Sequence, residues 1–463
     1  MPAPAPPDSA LALVLRGWEH LRLQRPLAAW ASWQRALRIE PEDGAATEAL
    51  EILEAAEELP IAARLKYKFR SPEDYECRTR WSSRFAGRNL EDLSVAAEAF
   101  ASLAYEDEND GAARFNEALC LAWLGENAEA IVAMDLAVRA EADRSPESAV
   151  ASWSVAEILR QGAGAEIWAD DLSHALILDW AVEDGDPLLS LSSFASLQPV
   201  PPPLDPVTGK SAVTDARVVE WLDRPPGEKQ ASPTGESLPH VLATVIATPG
   251  RIRLSSPDRE SLETAEMALL SRFGDRARSL DRRSTPLPLR LMDAAAWLFR
   301  MPASEEDGVQ SALRRAAVER YFEQVWITRP RLGLSGRDEA SHPPLSPVEA
   351  AVLASGGDSV ALAKLSAVVN IREQLSARPH VASLYEGYPF DRLRRRLGLP
   401  QNDPSTVEKE DVSSMGRAEL VALDPKTLSR DVLADACVAA MAVCDAATIE
   451  RFEAELASRP QDC

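Results

Sequence analysis

Apolar residues recur at the three-to-four spacing of an amphipathic helix from Leu11 to Arg38, and the same period returns over Gly111–Leu136 (GAARFNEALCLAWLGENAEAIVAMDL). The second stretch predicts two short helices joined at Leu124-Gly125-Glu126-Asn127, with small residues where the helices must touch. The first carries Gly17, Ala29, Trp33, Ala36 and Pro41 in a corresponding order. Two antiparallel helices approach closely only where side chains are small. An aromatic ring fills the gap beside them, and proline stops the second helix. Gly111–Arg144 repeats the frame with Ala118, Gly125, Ala130, Met134 and Ala137. A step of about 34 residues back from Ala130 reaches Ala96, followed by Phe100 and Leu103. The same step forward reaches Gly164, followed by Trp168. Ala29 and Ala96 lie almost two such steps apart, which leaves room for a degenerate unit over Gly44–Arg70. The pattern predicts about five helical hairpins over residues 10–180.

Beyond Trp180 the period decays. Gln198–Pro206 and Arg224–Pro239 are rich in Pro, Gly and Ser, the composition of linkers and long loops. Ala212–Leu222 between them is expected to form one short helix. The period then changes: His240–Leu254 predicts strand, turn and strand, with Pro249-Gly250 at the centre of a type II turn. Ser256-Pro257 is expected to cap a helix running to about Phe273. A hairpin with one helix is too small to be stable alone, so it is expected to pack on the helices that follow. Helices are predicted over Leu287–Leu298, Val309–Trp326, Pro347–Leu365 and Ser366–Leu375, with a mostly looped stretch over Glu323–Ala350. A basic run occupies Leu384–Leu397, and two or three helices are predicted over Ser414–Leu456. The fold class is therefore mainly α. Its expected parts are a disordered lead (1–9), a helical repeat domain (10–190), a Pro-rich linker (191–239), a small α+β module with helices (240–400) and a C-terminal helical segment (401–463).

The residues of the repeat resemble the tetratricopeptide (TPR) family over about 10–180, most clearly in the first hairpin and in Gly111–Arg144. The resemblance implies a helical solenoid whose first helices line a concave groove that holds a peptide or helix of another protein. Counting along the frame places Arg78, Trp81, Phe85 and Arg88 at inward positions of one hairpin. Phe115, Leu119 and Trp123 take those positions in the next. Aromatic and Arg side chains supply most of the binding energy at protein interfaces, so Arg78, Trp81, Phe85, Arg88 and Trp123 are the candidate partner-binding residues. The alternative is that these aromatics fill the core between hairpins. A second, shorter resemblance lies near 320–350. Tyr321, Trp326, Pro330, Leu332 and Leu345-Ser346-Pro347 with Ala350 are similar to a toxin-binding segment of bacterial antitoxins. Here Ser346 stands where that pattern has Thr, and Ser335–Pro344 is inserted. This similarity implies a regulator acting through the 240–400 region.

A net charge of −23 argues against non-specific binding to nucleic acid or an anionic membrane. The basic run Arg392, Arg394, Arg395, Arg396 is an exception. It reads either as a solvated helix face paired with carboxylates, or as a secondary docking patch (Arg392, Arg395, Arg396) for an acidic partner or phosphate. The five cysteines (Cys77, Cys120, Cys437, Cys444, Cys463) form no C-x-x-C pair, so no disulfide framework is expected. The start MPAPAPPDSA has no basic or apolar signal region and no apolar run reaches transmembrane length, which points to a cytoplasmic protein. Gly209-Lys210-Ser211 ends like a phosphate-binding loop, but Leu204 stands where the first glycine is needed. The five histidines (His20, His174, His240, His342, His380) are too far apart in sequence for a local metal site. No serine elbow or triad spacing occurs. The expectation is a non-catalytic protein-binding scaffold without metal or cofactor. An enzyme whose site is gathered from distant residues is the remaining alternative.

Overall fold

The computed structural model describes residues 9–72, 75–85, 92–180, 187–193, 195–200, 217–225, 239–248, 250–274, 277–287, 307–335, 344–376, 388–403 and 411–459. Among these the chain is mainly helical, 65% helix, with a six-stranded antiparallel sheet. It divides into two compact units, and the chain passes between them more than once. One holds the residues up to Glu48 and Arg160–Val318; the other holds Ala49–Leu159 and the described residues from Glu319 onward.

The first unit opens with a hairpin of α1 (Ala10–Arg22) and α2 (Pro26–Ile39). Ser9 caps α1 by accepting the Ala12 N–H at 3.2 Å. Trp33 is fully buried, and a Cβ built on Gly17 would lie 2.1 Å from its indole nitrogen. That nitrogen donates to Val14 O at 3.1 Å. The small-residue contact expected at Gly17 and Trp33 is thus present. The fifth hairpin expected around Gly164 and Trp168 is not. Gly164 sits at φ +91°, a turn conformation that ends any helix. Trp168 lies in a single 3-10 turn, and Leu172–Trp180 is strand β1. A small residue and an aromatic at the right spacing do not make a hairpin without an apolar stripe to bury.

The sheet has the order β2-β3-β4-β5-β1-β6, with β2 (Ser196–Pro199), β3 (Arg217–Leu222), β4 (Val241–Thr248), β5 (Arg251–Ser256) and β6 (Ala277–Pro286). The β4–β5 hairpin is as the sequence predicts, and Gly250 has φ +73°; Pro249 lies outside the described residues. The helix expected over Ala212–Leu222 is instead β3 in its described part, and Ser196–Pro199 of the expected linker pairs with it. Alternating burial along VLATVIAT explains β4. Leu176, Leu178, Val245, Ile252 and Leu254 pack against Leu262, Ala265 and Leu269 of α11 (Arg259–Phe273) and against Leu188 and Leu191 of α10 (Pro187–Ser192). Among the described residues the hairpin is therefore stabilised by four further strands, by α10 before it and by α11 after it. Asp258, not Ser256, caps α11, accepting the Ser261 N–H at 3.0 Å. The helix expected over Leu287–Leu298 falls almost wholly outside the described residues. Val309–Trp326 divides into α12 (Asp307–Arg320), a π turn and a 3-10 turn.

In the second unit α5 (Tyr75–Phe85), α6 (Leu93–Glu106), α7 (Gly111–Leu124), α8 (Asn127–Glu141) and α9 (Pro146–Leu159) pack in succession, each on the next. Alanines sit fully buried at the contacts, among them Ala96, Ala113, Ala118, Ala130, Ala137, Ala149 and Ala156. Asp92 and Asp110 cap α6 and α7, and Gly125 at φ +86° ends α7. The far side of α9 is covered by α14 (Ser359–Ser376), a helix some 200 residues later in the chain. Lys364 of α14 pairs with the Asp135 carboxylate of α8, donates to Ser335 O at 2.7 Å and lies 4.3 Å from the centroid of Trp153. The 10–190 and 240–400 boundaries therefore do not hold as compact units. The stack is completed by a late helix, and the sheet gathers strands from both sides of the expected linker.

Candidate functional site

Between α4 (Ile61–Arg64) and α5 the chain runs without helix or strand through Leu65–Pro72. This segment crosses the α6–α9 stack. Asn116 of α7 is fully buried and grips its main chain on both sides: the Arg70 N–H donates to Asn116 Oδ1, and Asn116 Nδ2 donates to Arg70 O, each at 2.8 Å. The Arg70 guanidinium stands over the Phe115 ring, 3.5 Å from its centroid. It donates to both Glu141 oxygens at 2.9 Å, to Ser152 Oγ at 2.8 Å and to Ser148 O at 3.3 Å. Ser152 donates to Glu141 in turn at 3.0 Å. Gly111 makes room for this acid, since a Cβ there would lie 2.4 Å from Glu141 Cγ. Burial pushes the Glu141 carboxyl above its ordinary value, and Arg70 and Ser152 oppose that shift. Phe69, the residue before, inserts its ring between Phe100 (5.0 Å between centroids) and Trp123 (5.4 Å). The exposed neighbours are Leu65, Lys66, Lys68 and Ser71.

The predicted anchors divide. Trp123 lines this groove, half-buried under Phe69. Phe115 is buried beneath Arg70, and Leu119 is buried. Trp81 is interior: its ring packs on Phe85 and Phe100, and its indole N–H donates to Asp110 Oδ2 at 2.8 Å. Phe85 packs on Phe100 at 4.9 Å. Trp81, buried, and Phe85, half-buried, thus both pack into the core between hairpins. Arg78 is exposed, and Arg88 lies outside the described residues. Phe69, Arg70, Asn116, Glu141 and Ser152 were not singled out from the sequence. The available signal was the alternation of basic and aromatic residues in Lys66-Tyr67-Lys68-Phe69-Arg70, a strand-like period inside a stretch assigned to a degenerate hairpin.

The basic run forms α15 (Phe390–Arg396) and turns inward. Arg392 donates to Glu323 at 2.9 Å and to Asp411 at 2.7 Å. Arg395 holds Glu419 at 3.0 Å, and Arg396 donates to Glu323 O at 2.6 Å. Tyr388 donates to the same Glu323 at 3.1 Å. Arg396 is buried and Arg392 and Arg395 are half-buried. The pairing with carboxylates expected of this run is present, but the guanidiniums are buried or half-buried and tie helices together instead of forming a solvated face. Beside them lies a groove of about 790 Å³ lined by Val348, Val352, Arg395, Leu399, Val421 and Val443. The antitoxin-like residues Trp326 and Tyr321 are buried, and Phe322 is stacked on Tyr388 at 5.3 Å. Ser346 caps α13 (Pro347–Ser355) in a capping box with Glu349. These are structural roles.

No family model matches the chain, and neither a curated protein nor a solved structure matches it. Among the described residues no group of three or more His, Cys, Asp or Glu is placed to hold a metal ion, and no helix is long and apolar enough to cross a membrane.

Proposed function

We propose that this chain is a non-catalytic interaction scaffold, and that the groove across α6–α9 takes an extended peptide segment of another protein. The observation that carries the reading is the pairing of Asn116 with both main-chain groups of Arg70. A side-chain amide that accepts from one N–H and donates to the carbonyl of the same residue grips any extended backbone, whatever its sequence. Its burial makes that grip count, because an unpartnered buried amide costs about 1–3 kcal/mol. The flanking pockets then read side chains: an aromatic slot at Phe100 and Trp123, and an acidic slot at Glu141 and Ser152 over Phe115. Peptide recognition of this kind combines main-chain bonds for affinity with pockets for specificity.

The test is selection from a display library of random short peptides on the full chain. A parallel selection uses a chain opened by substituting Phe69 and Arg70. Enrichment that is lost when Trp123→Ala and Asn116→Ala are added supports the reading. Absence of any enriched peptide on both the native and the opened chain contradicts it.

A further inference from the structure

The groove is not vacant: it is filled by the chain itself. We infer that Phe69-Arg70 is a resident, displaceable ligand, and that the partner's segment carries an aromatic residue followed by arginine in extended conformation. This rests on the reading above, that the groove serves peptide binding. Three observations point the same way. First, the groove's polar groups are not fully satisfied among themselves. Asn116 spends its side chain on one residue's backbone, and the buried Glu141 carboxylate spends itself on one guanidinium and one hydroxyl. An occupant must bring a free N–H and C=O pair and a guanidinium, because a lone ammonium lacks the planar fork that reaches both Glu141 oxygens and the Ser148 carbonyl. Second, the ring before it meets two aromatic rings at contact distance, so a small side chain there leaves a gap. Third, side chains of the segment alternate between the protein and solvent. Lys66, Lys68 and Ser71 point to solvent, and Lys66 pairs outward with Glu54 at 2.8 Å. Phe69 packs against the cluster of Trp81, Ala96, Phe100 and Ala113, so an incoming aromatic ring must replace that contact. The resident segment acts as a built-in competitor. Tethering by a few residues gives it an effective concentration of about millimolar. A partner therefore engages only when its own affinity or concentration overcomes that of the resident strand.

The probe is a labelled peptide, KYKFRSP, copied from Lys66–Pro72 and read by fluorescence anisotropy on full-length protein. Two opened chains are used, F69A/R70A and the milder F69S/R70Q, each checked by circular dichroism and thermal unfolding. The expected result is saturable binding to an opened chain, at least tenfold weaker binding to the native chain, and loss when Asn116→Ala is added. The control peptide KYKAASP should not bind. Equal binding by the native and opened chains overturns self-occupancy. Equal binding of KYKAASP overturns the aromatic–arginine specificity. Unfolding of both opened chains also overturns the inference, because the segment would then be core and not ligand. Folded opened chains that ignore KYKFRSP but enrich library peptides sink this inference and leave the scaffold reading standing. Folded opened chains that enrich nothing sink both.

Discussion

Glu141 concentrates the chemistry of the groove in one side chain. It is mostly buried, its carboxyl is raised by that burial, and Arg70 supplies the compensating charge. Breaking a buried pair by removing one partner costs about 3–5 kcal/mol, so Arg70→Ala should destabilise the unit by about 3 kcal/mol at neutral pH. The direction with pH follows from linkage. The folded carboxyl titrates above its ordinary value of 4.5, so in that window the folded chain keeps a proton that the unfolded chain has released. The stability this group contributes is complete below 4.5 and is lost as pH rises through the folded value. The Arg70→Ala deficit should therefore shrink as pH falls toward 4.5, and Glu141→Gln should flatten the slope; denaturant melts across that range check both. A second residue-scale constraint is steric. Gly17→Ala drives a methyl into the buried Trp33 indole and should cost about 1–3 kcal/mol, seen as a lower denaturant midpoint.

At the scale of elements, local patterns were readable wherever one face of the element decides it. The first hairpin, the α7–α8 pair, the β4–β5 hairpin and α13 all carry their signal in spacing, caps and turn residues. The misreadings have a common cause. Arg217–Leu222 buries Val218, Val219, Trp221 and Leu222 on both faces, so it shows no alternation. Ala277–Pro286 is an edge strand of mostly charged and small residues and looks like loop. Phe69 and Arg70 were hidden for a different reason. Their meaning depends on Asn116, Glu141 and Ser152, which lie 46 to 82 residues further along the chain, and no local period encodes such a meeting. Trp81 was misplaced because an aromatic on the first helix of a hairpin can face the groove or the neighbouring helix. The Asp110 carboxylate, which accepts its indole N–H, decides for the latter. The Arg392–Arg396 run carries the same lesson for charge, since its carboxylate partners come from Glu323, Asp411 and Glu419.

For the whole molecule, the consequence is that each compact unit is assembled from separated stretches of chain. Cutting the chain into 1–225 and 226–463 divides both. The sheet loses β1 from β5 and β6, and α9 loses α14. Neither fragment should give a sharp thermal transition alone, and co-expression of the two should restore one. Independent cooperative unfolding of the fragments would refute this assembly. The claim on which the functional account turns is that Leu65–Pro72 lies gripped in the groove through Asn116. Hydrogen–deuterium exchange of the native chain, read for the amides of 65–71, tests it most directly. The account predicts strong protection at Arg70, lost in Asn116→Ala and lost again when excess KYKFRSP peptide is added. Exchange of the Arg70 amide at the rate of an unstructured chain in the native protein would contradict it.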